Sequence, residues 1–305
     1  MKRTLPTKKP SPILAASTHK KVVRKRPVPK SKSKAQPKVT PGKILKYSFL
    51  LLLAAFIVAG IYQYRHGLLY YLGFTPAKNI DVLTKDERKI ADLRIYEIVA
   101  KNKGKVFGLD VSHYQGRINW DSIERTKGEF PLDFMFIRAT QGKDGTDSEF
   151  KRNWRSAKAG GFIRGAYHYY RPDENSLKQA DNFIKGVKLH KGDLPPVLDI
   201  EKVPSRQNLD SLKSGLKRWL TRVENHYGVK PIIYSGESFY SDFLQDEFED
   251  YTVWIANYSF FAEEISDDWL FWQFTDKATV KGINGNVDVN MYNGSLTELK
   301  GLGVK

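Results

Sequence analysis

The stretch PPVLDIEKVP, residues 195–204, sets two carboxylates, Asp199 and Glu201, among the apolar Val197, Leu198 and Ile200. On an extended strand, residues two apart point to the same side. Repulsion and partial burial then raise the pKa of one acid while its neighbour stays ionised. That division suits glycosidic cleavage, where one acid protonates the leaving oxygen and another group steadies positive charge at the anomeric carbon. D-x-E also occurs in ion pairs and metal sites, so the pair needs company to carry meaning.

The company is acidic and aromatic. Asp110, Ser112, His113 and Gln115 follow one apolar run, and Tyr167, His168, Tyr169 and Tyr170 lie in another. Trp254 and Asn257, Trp272 and Gln273, and Asp288 and Asn290 follow in later runs. Carboxylates beside aromatic rings suit a sugar, whose C–H faces stack on rings while its hydroxyls bond to acids. On an alternating strand His168 points away from Tyr167 and Tyr169, which makes it a support. His113 reads as a hydrogen-bonded support too. Other chemistries lack their marks. There is no H-E-x-x-H, no G-x-S-x-G elbow, no dinucleotide or Walker glycine pattern, and no cysteine. No metal and no cofactor are expected.

These residues need elements to place them. Eight β-rich runs occur from residue 106 onward: VFGLDVS, DFMFIRAT, FIRGAYHYY, PPVLDIE, KPIIYSG, YTVWIANY, FWQFT and NVDVN. Helical patterns separate the earlier ones: SEFKRNWRSAKAG, NSLKQADNFIKGVKLH and NLDSLKSGLKRWLTRVENHYG. The alternation implies a parallel sheet covered by helices. The expected fold is α/β, a TIM-like β/α barrel with some late helices missing and sites at the strand ends. A doubly wound open sheet is the alternative.

Upstream the composition changes. Of 50 Lys and Arg, 15 fall in residues 1–46, which hold no Asp or Glu, so the rest is nearly balanced. The positive charge therefore belongs to a tail, and no nucleic-acid partner is expected. Residues 1–43, rich in Lys, Arg, Pro and Ser, read as a disordered cytoplasmic arm. Residues 44–66 contain the uncharged run Tyr47–Tyr64, close to the length of a membrane-spanning helix. Its basic N-terminal side and long preceding segment favour an uncleaved anchor over a signal peptide. One transmembrane helix would leave the C-terminal domain extracytoplasmic, on the periplasmic or cell-wall side. Residues 67–104 read as a membrane-proximal connector, with Ile90, Leu93, Ile95 and Ile98 near one helical face. Residues 105–305 form the expected catalytic domain.

The motif GLDVSHYQGRINW resembles the opening of family 25 glycoside hydrolases, the Chalaropsis-type lysozymes. FIRATQG, GAYHYY, PPVLDIE, PIIYSG, VWIANY and WQFTDKATVKGINGNVDVNMYNG resemble its later motifs in the same order, across residues 106–294. The resemblance implies a muramidase cleaving the β-1,4 bond between N-acetylmuramic acid and N-acetylglucosamine in peptidoglycan glycan strands. It implies Glu201 as general acid, Asp199 as stabiliser or orienter, and Asp110 and Asp288 as further active-site carboxylates. Tyr167, Tyr169, Trp254 and Trp272 match groove-lining positions, with Gln115, Tyr234, Asn257 and Gln273 completing a substrate-binding set. Two acids on one strand cannot easily flank a sugar from opposite sides, which favours attack by the substrate's own 2-acetamido group over attack by Asp199. The family commonly carries Lys and Glu where this chain has Arg138 and Gln141. Those departures keep open a non-hydrolytic glycan-binding scaffold, and D-x-E is shared with a chitinase-like hydrolase.

Overall fold

The computed structural model describes residues 46–59, 83–123, 125–127, 130–259 and 261–305. The expected basic arm lies outside the described residues, as does the connector before residue 83. Of the expected span 44–66, residues 46–59 are described. They form an exposed helix, and no described helix is long and apolar enough to cross a membrane. This helix falls in one compact unit, Met1–Leu68, and the barrel in another, Leu69–Lys305.

All eight expected strands form. They are β1 (Val106–Val111), β3 (Phe130–Gln141), β5 (Ile163–Tyr169), β6 (Val197–Asp199), β7 (Ile232–Gly236), β8 (Val253–Ala256), β9 (Phe271–Ala278) and β10 (Val287–Tyr292). Two short strands, β2 (Thr126–Lys127) and β4 (Gly145–Thr146), pair on β3. The path β1-β10-β9-β8-β7-β6-β5-β3 closes because β1 also pairs with β3. The outcome is an eight-stranded barrel.

The sheet is not wholly parallel as expected. β10 runs antiparallel to both β9 and β1, while the other barrel pairings are parallel. With only Thr279–Asn286 between β9 and β10 there is no room for a crossover helix, so the chain turns straight back. The C-terminal ends of seven strands thus meet the N-terminal end of β10.

Three amphipathic helices cover the earlier strands, at Phe150–Ala159, Ser176–Gly186 and Leu209–Tyr227. Asn175 and Asn208 cap the second and third, accepting from Lys178 N and Ser211 N. The third stops where Gly228 turns left-handed at φ 69°. Phe183, Leu216, Trp219 and Leu220 are fully buried between these helices and the outer barrel wall.

The connector helix, Lys85–Lys101, opens with a capping box between Thr84 and Glu87. Its buried residues are Ile95 and Ile98, whereas Ile90 and Leu93 are exposed. The contact face is therefore narrower than the apolar spacing suggested. Ile95 and Ile98 enter the main core, so this helix belongs to the same compact unit as the barrel.

Candidate active site

Strand alternation sorts the barrel residues into two faces. Phe134, Phe136, Trp254, Phe271 and Tyr292 fill the interior. Phe136 stacks on Trp254 at 4.4 Å between centroids, and Phe271 meets Phe136 edge-on at 5.2 Å. Glycines make this crowding possible. A Cβ on Gly108 would lie 2.4 Å from the Phe134 carbonyl oxygen, and one on Gly165 would lie 2.4 Å from the Phe136 ring. The aromatic plug is the floor beneath a polar layer.

Asp110 ends the inward row of β1 and sits directly opposite Asp288 in the β1–β10 register. The reversed direction of β10 is what brings Asp288, near its start, to the rim where the other strands end. Asp199 closes β6 between Tyr169 of β5 and Tyr234 of β7. All three acids are nearly buried. Glu201 lies just past the end of β6 and is partly exposed. The backbone stays tied there, since Ile200 N donates to Tyr234 O at 3.0 Å and Ser235 Oγ donates to Ile200 O at 2.7 Å. Ile200 and Leu198 are buried in the outer core, which leaves Asp199 and Glu201 on the inner side.

A hydrogen-bond relay holds Asp110. Its Oδ2 accepts from Gln273 Nε2 at 2.6 Å and from Asn290 Nδ2 at 2.8 Å. Trp254 Nε1 donates to Asn290 Oδ1 at 2.9 Å, and the Tyr234 hydroxyl donates to Gln273 Oε1 at 2.8 Å. The Tyr258 hydroxyl donates to the same Gln273 oxygen. Each amide is thus oriented at its oxygen, so its N–H faces the carboxylate. These two N–H donors fix the position of the Asp110 carboxylate.

The tyrosines register the acids electrically. Burial raises the Tyr167 phenol well above its usual range, and Asp110, Asp199 and Asp288 raise it further while Arg138 opposes them. Burial, then Tyr258, Glu201, Asp199 and Asp110, raise Tyr234. Tyr169 is raised by burial and then by Glu201 and Asp199. Tyr258 is raised by burial of its hydroxyl end, then by Asp288, Asp276, Asp110 and Glu201. All four phenols stay protonated, and together they sense all four proposed carboxylates. Tyr258 is the site residue the sequence reading passed over, although it ends the motif VWIANY. As a residue it is half exposed, in a loop, where neither strand period nor burial singles it out.

Several expected groove residues do other work. Trp272 is fully buried in the outer core, packs on Phe274 and donates from Nε1 to Asn257 O at 2.8 Å. It cannot line the groove while its neighbour Gln273 points inward. Trp254 does face the interior, but as part of the buried floor and as the donor that orients Asn290. Gln115 is held in a capping box, its Oε1 accepting from Ser112 N at 2.9 Å. Asn257 lies at the end of β8, its Nδ2 donating to Glu237 Oε2 at 2.7 Å and its Oδ1 accepting from Ser259 N at 2.7 Å.

His168 is where alternation placed it, and His113 lies in a short helical turn after β1. His168 is fully buried outside the barrel, stacked on Trp219 at 5.5 Å. His113 Nδ1 lies 3.0 Å from Asp147 Oδ2, which also accepts from Arg138 Nε at 3.0 Å. Arg138 also contacts the His113 ring and lies 4.8 Å from the Tyr114 ring centroid, and its ion pair with Asp147 matches its charge. Gln141, at the end of β3, is in register with Tyr169.

A barrel whose polar rim gathers carboxylates and tyrosines over an aromatic floor is that of a β/α-barrel glycoside hydrolase. Residues 109–283 match the model of glycosyl hydrolases family 25. The chain belongs to that family. It is 40% identical over 200 residues to the Uncharacterized protein YegX of Escherichia coli O6:H1, covering 64% of this chain and 72% of that protein. It is 32% identical over 212 residues to Lysozyme M1 of Streptomyces globisporus, covering 65% of this chain and 71% of that one. The solved bacterial lysozyme of Streptomyces coelicolor superposes with a TM-score of 0.59 at 31% identity, covering 66% of this chain and 98% of that one.

Proposed function

We propose that the protein is a muramidase that hydrolyses the β-1,4 bond between N-acetylmuramic acid and N-acetylglucosamine in peptidoglycan. The observation that carries this reading is the gathering of Asp110, Asp199, Glu201 and Asp288 at one barrel rim within a family 25 domain. The lysozyme names of its relatives supply the substrate. Glu201, the most accessible of the four, is the general acid that protonates the leaving glycosidic oxygen. Asp199, beside it on the same inner row, orients the substrate's 2-acetamido group as that group attacks the anomeric carbon. Glu201 then serves as base for the water that opens the resulting ring. Asp110, held in place by two amides, faces the developing positive charge.

The apolar run Tyr47–Tyr64, with its basic flank, supports a membrane anchor that presents the domain to the wall from outside the cytoplasm. The test is mass spectrometry of purified peptidoglycan treated with the full-length chain in detergent. New reducing ends on muramic acid are expected. Products ending only in glucosamine, or no products from folded protein, would refute the reading.

A further inference from the structure

We propose that the helix Lys85–Lys101 is a working part of the active site, and that Arg94 is a positioning residue acting through Tyr258. The inference deepens the muramidase reading and rests on it for its catalytic consequence. Between β8 and β9 the described residues contain no strand or helix, so the loop that carries Tyr258 needs outside support. The helix supplies it. Arg94 Nη2 donates to the carbonyl oxygen of Ser259, the residue after Tyr258. Lys101 pairs with the Glu263 carboxylate, and Asn102 Nδ2 donates to Glu263 O at 2.9 Å. Asn102 is itself pinned to the helix end, donating also to Ile98 O at 2.7 Å.

On the loop side the Ser259 carbonyl accepts a second bond, from Ala262 N at 3.1 Å, and Ser259 N donates to Asn257 Oδ1 at 2.7 Å. Arg94 thus grips the turn at its closed point. Tyr258 leaves that turn toward the barrel and donates to Gln273, whose amide donates in turn to Asp110 at 2.6 Å. A continuous path of contacts runs from the helix to an active-site carboxylate. The helix is anchored independently of the loop, with Ile95 and Ile98 buried in the barrel's outer core. It is therefore a fixed post against which the loop can be held. A loop without its own ladder opens easily unless so tied.

The experiment uses the full-length chain in detergent and four forms: parent, Arg94→Ala, Tyr258→Phe and the double variant, with Arg94→Lys as the conservative control. Hydrogen exchange is followed at the backbone amides of residues 258–262, and kcat/KM is measured on peptidoglycan. Arg94→Ala is expected to speed loop exchange about tenfold and to lower kcat/KM about fivefold, and Arg94→Lys to recover most of both. In the Tyr258→Phe background, Arg94→Ala should change kcat/KM by less than about twofold, because the two act along one path. An equal fivefold loss in both backgrounds would overturn the proposal, as would unchanged loop exchange in Arg94→Ala. Exchange reads the positioning even if the parent releases no muropeptide, so failure of the muramidase reading is told apart from failure of this one.

Discussion

Gln273 donates from Nε2 to Asp110 Oδ2 at 2.6 Å while its Oε1 accepts the Tyr234 hydroxyl at 2.8 Å. One buried amide therefore links a carboxylate on β1 to a phenol on β7, across the barrel mouth. The amide can face only one way, because a flip would set its oxygen against the carboxylate and its N–H against a donor. Gln273→Leu removes both bonds and the one from Tyr258. It should destabilise the chain by about 2–3 kcal/mol in chemical denaturation, the cost of stranding buried polar groups. Gln273→Glu sets an acid where Asp110 now receives an N–H, and should lower kcat/KM about tenfold. Unchanged kcat/KM in that variant would argue that this bond does not position Asp110 for catalysis.

The D-x-E pair divides into an acid and an orienter, and the two are separable. Glu201→Gln should lower kcat about 10²–10⁴-fold, the usual worth of a positioned general acid. Glu201 is partly exposed and past the strand end, so the melting temperature should stay within about 2 °C of the parent. Asp199→Asn should lower kcat with little change in the products formed. A mass-spectrometric adduct of a fluorosugar on Asp199 would show direct attack and displace the substrate-assisted route.

His168 gives a pH-dependent stability unrelated to catalysis. Its Nδ1 lies 2.7 Å from Thr140 Oγ1 and its Nε2 lies 3.2 Å from Gln179 Oε1. That oxygen already accepts from Arg171 N at 2.9 Å, so Nε2 carries the proton and the ring is neutral. Burial drives its pKa down to about 4, with Gln179 and Glu174 opposing and Arg171 assisting. The unfolded chain takes up this proton near pH 6.5, before the folded chain does. Stability from the neutral ring is thus complete above pH 6.5 and is lost as pH falls toward 4, by about 3 kcal/mol. Denaturant melts at pH 7 and pH 4.5 should show this slope, and His168→Gln should flatten it.

Much of this site was readable because strand alternation and polar strand ends are written locally. Asp199 and Glu201 reach one side since Leu198 and Ile200 take the other. Strand direction is not local, and nothing within NVDVN says that β10 runs backward. The same alternation argued against one expectation: Trp272 and Gln273 are adjacent, so both could not face the groove. Ser112 and Gln115 carry the spacing of a capping box, which accounts for Gln115 without a sugar. Tyr258 and Arg94 stayed hidden because their roles arise only when a loop and a distant helix meet.

Two glycines in the barrel wall should differ in how they tolerate a methyl group, because one faces a ring and a backbone oxygen together and the other meets side chains alone. At Gly108 an added Cβ falls 2.4 Å from the carbonyl oxygen of Phe134, which the β1–β3 pairing holds in place. At Gly165 it falls 2.4 Å from the Phe136 ring, whose stacking on Trp254 leaves it one route of relief, a shift of the ring itself. Both substitutions overpack the floor and should cost about 1–3 kcal/mol or more. Pairing Gly165→Ala with Phe136→Leu removes the clashing ring edge and should recover part of the loss. Gly108→Ala combined with Phe134→Leu should recover less, since the backbone oxygen remains. Thermal melts of the four variants decide it. Equal rescue at both sites would mean that ring contacts, not the strand backbone, limit how closely β1 and β3 pack.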